Sequence, residues 1–184
     1  MSTLYRPEFV SALRLFARVS EAMKARGLSR PILVGGAAAE YYSGSAVSTG
    51  DFDICTPAQS ALEEELERLG FIRPIGPGHT MLGWAHPELK LGFEIVSDVP
   101  MDGNVPQERI LLVENVTPGA SFAIISVEDL IADRMGQYAS GTAADRLDQA
   151  RILFRLNPDV DFEYLDRRVR EESFGDHGIE DVRS

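Results

Sequence analysis

The five residues Asp51-Phe52-Asp53-Ile54-Cys55 restrict the fold more than any other part of the chain. In an extended strand, residues two apart share a face, so Asp51 and Asp53 project together while Phe52 and Ile54 project to the other side. Aspartate is depleted in strands and rarely buried without a partner. The pattern therefore separates an acidic face from a core face. Two carboxylates this close repel each other and raise one pKa unless a cation sits between them. A hard divalent cation such as Mg²⁺ takes oxygen ligands, commonly one or two carboxylates plus substrate phosphates.

The preceding strand, "PILV" (31–34), ends in Gly35-Gly36 just before the helical stretch "AAAEYY". Glycine there lets backbone N–H groups approach a phosphate, and a helix N-terminus favours the anion. A glycine pair alone often makes only a tight turn; beside the acidic strand the two halves become complementary. In "LKLGFEIV", Leu89, Leu91, Phe93 and Ile95 share one strand face. Glu94 lies on the other face beside Gly92 and Val96, a carboxylate between apolar neighbours like the aspartates. The strand pattern alone leaves open whether that face is a site or simply solvated.

The 184 residues suit one domain, and 44% hydrophobic with 26% charged residues supports a sizeable core. A net charge of −11 opposes broad nucleic-acid binding and suits a cationic small substrate, a protein partner or a metal site. No apolar run approaches the roughly 20 residues of a membrane helix, and the N-terminus lacks signal-peptide character. The single cysteine, Cys55, excludes an internal disulfide and fits a reducing cytoplasm. Helical spacing runs from Pro7 to Gly27. Strands are expected at 31–34, 51–55, 88–98, 109–113 and 121–125, with His86-Pro87 as a hairpin turn and a helix over 59–70. Helices follow from Ser126, from Ala143 and from Asp161, and the tail after Ser173 is polar and expected to fray. The order is α/β in the first two-thirds and helical at the end.

"VGG", a spacer, "STGDFDI" and a later "FEI" together resemble the DNA polymerase β nucleotidyltransferase superfamily. The later "SVEDLIADRM…DRLDQARILF" is similar to the helical part of the minimal nucleotidyltransferases of abortive-infection and toxin–antitoxin systems. The resemblance spans roughly residues 30–156. It implies an α/β (α+β) nucleotidyltransferase fold: a small mixed β-sheet flanked by helices, with a C-terminal helical extension. The catalytic core would be 1–125, the extension 126–172 and a flexible tail 173–184. Asp51, Asp53 and Glu94 would be metal ligands and catalytic acids for Mg²⁺ or Mn²⁺. Gly35, Gly36, Thr49, Arg134 and Arg146 would bind the nucleoside triphosphate. The implied reaction moves a nucleoside monophosphate to a hydroxyl of a protein, an RNA or a small molecule, in the cytoplasm, with a cognate toxin or antitoxin as partner. The alternatives are a non-catalytic nucleotide- or partner-binding member of the fold, and an aminoglycoside-type antibiotic nucleotidyltransferase.

Other residues read more plainly. Cys55 is expected to be a small buried hydrophobe. His79, His86 and His177 lack metal-ligand spacing. Asp129 is expected as a helix cap. Arg151 and Arg155 read as surface ion-pair formers, and Arg167, Arg168 and Arg170 as a solvated face. "GPG" (76–78) reads as a turn, and Trp84 as a core residue.

Overall fold

The computed structural model describes residues 4–73 and 83–184. The expected "GPG" turn and His79 lie outside these residues.

The first helix, α1 (Pro7–Ala25), starts with Pro at its first turn, where the missing N–H costs nothing, and closes through Gly27 at φ +75°. Phe9, Leu13, Phe16 and Met23 recur at helical spacing and are fully or almost fully buried. They form the floor of a five-stranded mixed sheet in the order β3-β2-β1-β5-β4. Its strands are β1 (Ile32–Val34), β2 (Asp51–Cys55), β3 (Gly92–Ser97), β4 (Ile110–Thr117) and β5 (Ala120–Ile125). Phe16 meets Phe52, Phe93 and Phe122 with ring centroids 5.6–6.1 Å apart. Burying one such ring is worth about 1.5–3 kcal/mol, so this cluster fixes which face of the sheet is core.

The register places the acids. β2 runs antiparallel to β1, with Val34 opposite Asp53, and parallel to β3, with Asp53 opposite Glu94. Directly paired residues share a face, so the same register that puts Phe52 against Phe93 in the core puts Asp53 beside Glu94 on the other side. α2 (Gly35–Ser43) springs from the end of β1 and α3 (Gln59–Arg68) follows β2. α4 (Val127–Ala139), α5 (Arg146–Leu156) and α6 (Phe162–Glu172) complete the helical part, with α4 packed against both α5 and α6.

Three expectations about the elements change. The strand expected over 88–98 pairs only from Gly92 to Ser97, because residues 86–91 are spent turning the chain: the Leu89 N–H donates to the His86 carbonyl, and Trp84 bridges Phe93. The strand expected to end at Val113 continues to Thr117 through a register shift, with Asn115 at φ +54°. The tail, expected to fray, carries regular structure. It turns at Ser173, whose hydroxyl donates to the Val169 carbonyl, and ends in α7 (Ile179–Arg183). Val182 is buried, the Arg151 Nε donates to the Asp181 carbonyl at 3.0 Å, and the Ile179 N–H donates to Asp166 at 2.9 Å.

Asp129 is more than a cap, and Arg168 is not on a solvated face. Both are buried, joined by an Arg168 Nε–Asp129 Oδ1 contact of 2.8 Å, with the Tyr164 hydroxyl donating to the same carboxylate at 2.9 Å. The cap is Ser126, whose Oγ accepts from the Asp129 N–H. Helical spacing brings Tyr164 and Arg168 onto one face of α6 (i, i+4), but only the packing of α6 on α4 turns that face inward. Among the described residues no helix is long and apolar enough to cross a membrane.

Candidate active site

Oxygens of Asp51, Asp53 and Glu94 all lie within 4.8 Å of one another. Asp51, at the start of β2, is the most exposed; Asp53 and Glu94 are half-buried. Burial pushes the Asp53 carboxyl above its ordinary range, the Gly36 N–H that donates to Oδ2 at 3.0 Å pulls it part-way back, and Asp51 adds to the rise. Burial, then Asp53 and Asp51, raise Glu94 as well. The cluster holds more negative charge than its surroundings neutralise.

The two glycines make room for this arrangement. Gly35 sits at φ +58°, and a Cβ there would lie 1.9 Å from Asp53 Oδ2. A Cβ on Gly36 would stand 2.3 Å from Thr49 Oγ1. Thr49 shares its hydroxyl hydrogen between the Asp51 carbonyl at 3.0 Å and the Asp51 carboxylate at 3.3 Å. Gly35 and Gly36 thus let the site's own acid and threonine close on the N-terminus of α2, whose partial positive charge favours an anion.

A cleft of about 550 Å³ opens over the aspartates, lined also by Gly35, Gly36, Thr49, Arg134 and Arg146. All the sequence-predicted site residues except Glu94 line it. Glu94 borders a neighbouring cavity of about 220 Å³, with Glu63, Arg73 and Trp84, while its carboxylate joins the aspartates. Trp84 is buried as expected, under the Arg73 guanidinium. Arg134 is also buried. Its Nη1 donates to Asp133 at 3.0 Å and to Gln137 at 3.3 Å, but its Nε has no hydrogen-bond partner among the described residues. Burial pulls its pKa below the ordinary arginine range, and nearby Arg146 works in the same direction against Asp133. Arg146 is tied to Gln137 at 2.9 Å. Among the described residues lining the cleft, Arg134 and Arg146 are the cationic ones, against Asp51, Asp53, Asp102 and Asp133.

The donor set suits a hard cation. Three carboxylates offer only oxygen, which favours Mg²⁺ or Mn²⁺ over metals that prefer nitrogen or sulfur. Cys55 shares the acidic face but is buried, and burial pushes its thiol up to about 12.

No protein-family model and no curated protein matches this sequence. Solved structures do. The solution structure of the antibiotic-resistance factor ANT(2'')-Ia superposes with a TM-score of 0.55 at 17% identity, covering 88% of this chain and 90% of that one. The crystal structure of an antigenic nucleotidyltransferase-like protein from Paracoccidioides brasiliensis gives 0.59 at 15% identity, covering 91% of this chain and 88% of that one. The chain has the nucleotidyltransferase fold. The likeness takes in about nine-tenths of the chain.

Sequence reasoning missed two residues that hold the backbone of Thr49 beside the cleft. Glu40 is fully buried and its carboxylate accepts the Thr49 N–H at 2.8 Å; Arg6 grips both Glu40 and the Thr49 carbonyl. A lone acid in the apolar run "AAAEYY" was the available signal for Glu40. Nothing in the sequence marks Arg6.

Proposed function

We propose that this protein transfers a nucleoside monophosphate from a nucleoside triphosphate to an acceptor hydroxyl. The observation that carries the reading is the convergence of Asp51, Asp53 and Glu94 from two adjacent strands, beside a glycine turn and a buried, under-partnered arginine. These three acids would hold Mg²⁺ or Mn²⁺. When bound, such a cation neutralises phosphate charge and makes an acceptor oxygen more nucleophilic.

The chain's own groups do the rest by position and charge. The start of α2 and the Arg134–Arg146 wall receive the phosphates. Thr49 holds Asp51 in place. Glu94, the third acid, either helps to hold the cation or takes the proton of the acceptor hydroxyl. Arg134 gains the negative partner that its Nε lacks. The acceptor is a protein, RNA or small-molecule hydroxyl, and a toxin–antitoxin or defence role in the cytoplasm follows from the sequence resemblance.

One observation favours a small cationic acceptor as a second reading. Asp102 and Asp133 line the cleft together with Asp51 and Asp53, and a fold neighbour is described as an antibiotic-resistance factor. Pyrophosphate release on adding an aminoglycoside to the protein with NTP and Mg²⁺ supports that reading; silence across a panel of such drugs rejects it.

The general test is incubation with each α-labelled NTP, Mg²⁺ and a cell extract. Label should pass to an acceptor with wild type and not with Asp51→Asn or Asp53→Asn. Equal labelling by the variants rejects the mechanism, and nucleotide binding without any labelling points to a non-catalytic member of the fold.

A further inference from the structure

Glu40 has no evident packing reason to be acidic. It lies three residues after buried Ala37 on α2, so the two share a helix face on which an apolar residue would fit. A buried carboxylate is costly unless fully hydrogen-bonded. This one accepts from Arg6 Nε at 2.7 Å, Arg6 Nη2 at 2.8 Å, Ser45 Oγ at 2.8 Å and the Thr49 N–H at 2.8 Å. Arg6 Nη2 also donates to the Thr49 carbonyl. Both backbone polar groups of Thr49 are therefore held, one by each member of the pair. The threonine side chain points the other way, onto Asp51 and against Gly36. A continuous chain of contacts runs from Arg6, just before α1, to the outermost of the three acids.

We propose that Glu40 and Arg6 form a positioning pair that sets the divalent-cation affinity of the Asp51–Asp53–Glu94 site, acting through the backbone of Thr49 and its hydroxyl on Asp51. This rests on reading those acids as a cation site. The pair touches neither cation nor substrate. Its effect is on where Asp51 stands before a cation arrives, the part that outer hydrogen-bond partners play at metal centres.

A purely structural clamp would change stability and leave affinity alone, so the readout is affinity in folded protein. Free Mn²⁺ is followed by its EPR signal during titration of wild type, Glu40→Gln, Arg6→Met, Arg6→Lys and Asp51→Asn. The measurement is made well below the unfolding transition, with folding checked by circular dichroism. Glu40→Gln and Arg6→Met should weaken Mn²⁺ binding about ten-fold or more. Arg6→Lys should recover only part, because an ammonium keeps the charge but lacks the fork that reaches Glu40 and Thr49 together. Arg6→Met strands the fully buried Glu40 carboxylate, so the neutral Glu40→Gln decides by the same criterion if Arg6→Met fails to fold. Wild-type affinity in folded Arg6→Met overturns the positioning pair while leaving the cation site standing, provided Asp51→Asn abolishes binding. A wild type that takes up no Mn²⁺ overturns the cation site and the pair with it.

Discussion

Asp53→Asn should stabilise the metal-free protein and remove its response to metal. Asp53 lies in the middle of three carboxylates whose oxygens fall within 4.8 Å of one another. At that separation a pair of unit charges repels by about 3.5 kcal/mol at an effective dielectric of 20, and about 0.9 kcal/mol at 80. The half-buried, solvent-facing site belongs toward the lower figure. Asn removes two of the three pair repulsions and keeps an oxygen for the Gly36 N–H, although a neutral acceptor makes that bond weaker by about 1 kcal/mol. The net gain is about 1 kcal/mol, a rise in Tm of about 2–4 °C for a chain of this size. Wild type at a Mn²⁺ concentration one hundred times Kd should gain about 2.7 kcal/mol, and the variant almost nothing. The pH dependence has a definite sign. Folding raises the Asp53 and Glu94 carboxyls, so the folded state binds more protons than the unfolded chain between their ordinary and raised values. Metal-free wild type is thus favoured at the acid end of that window and loses this contribution as pH rises through it; the variant loses less. Thermal melts of chelator-treated protein with and without MnCl₂, across that pH range, read all three effects. A metal-free Asp53→Asn that melts below wild type at neutral pH, or that responds to Mn²⁺ as wild type does, refutes the reasoning.

Gly35→Ala should be destabilised by about 1–3 kcal/mol in urea and should lose its Mn²⁺ response, because its φ of +58° strains any L side chain and its Cβ would collide with Asp53. Asp129→Leu leaves the buried Arg168 without its main partner and should cost about 3–5 kcal/mol, seen as a lower urea midpoint. Arg134→Met should leave stability unchanged or raised, since its cation is already short of partners, while cutting triphosphate affinity about ten-fold or more by isothermal titration.

The acids were legible because strand periodicity is short-range. Asp51 and Asp53 announce their shared face within three residues, and Glu94 repeats the pattern between Phe93 and Ile95. Their meeting needed a register between β2 and β3, across a connection that sequence spacing does not fix. Arg134 was found by resemblance, but its burial and missing partner depend on how α4 packs among the other helices. Arg6, Arg168 and α7 were illegible for a common reason. Each is a polar or short segment whose role is set by distant partners: Glu40 for Arg6, Asp129 for Arg168, and Arg151 with Asp166 for α7. Composition and periodicity carry no trace of such pairings.

The register that assembles the repulsive face also assembles its counterweight. Phe52 and Phe93 alternate with Asp53 and Glu94 along the same two strands, and their rings stack at 4.9 Å directly beneath the acids. An aromatic pair of this kind adds about 0.5–1.5 kcal/mol beyond its burial, comparable to a screened repulsion between two of the carboxylates. Slipping β3 by one residue would separate both pairs at once, turning Glu94 toward the core and Phe93 toward the cleft. The strands therefore cannot relax the site's electrostatic strain by sliding. What remains is to protonate, to bind a cation, or to move Asp51 at the strand's open end, and the last of these is what Thr49, held by Glu40 and Arg6, restrains.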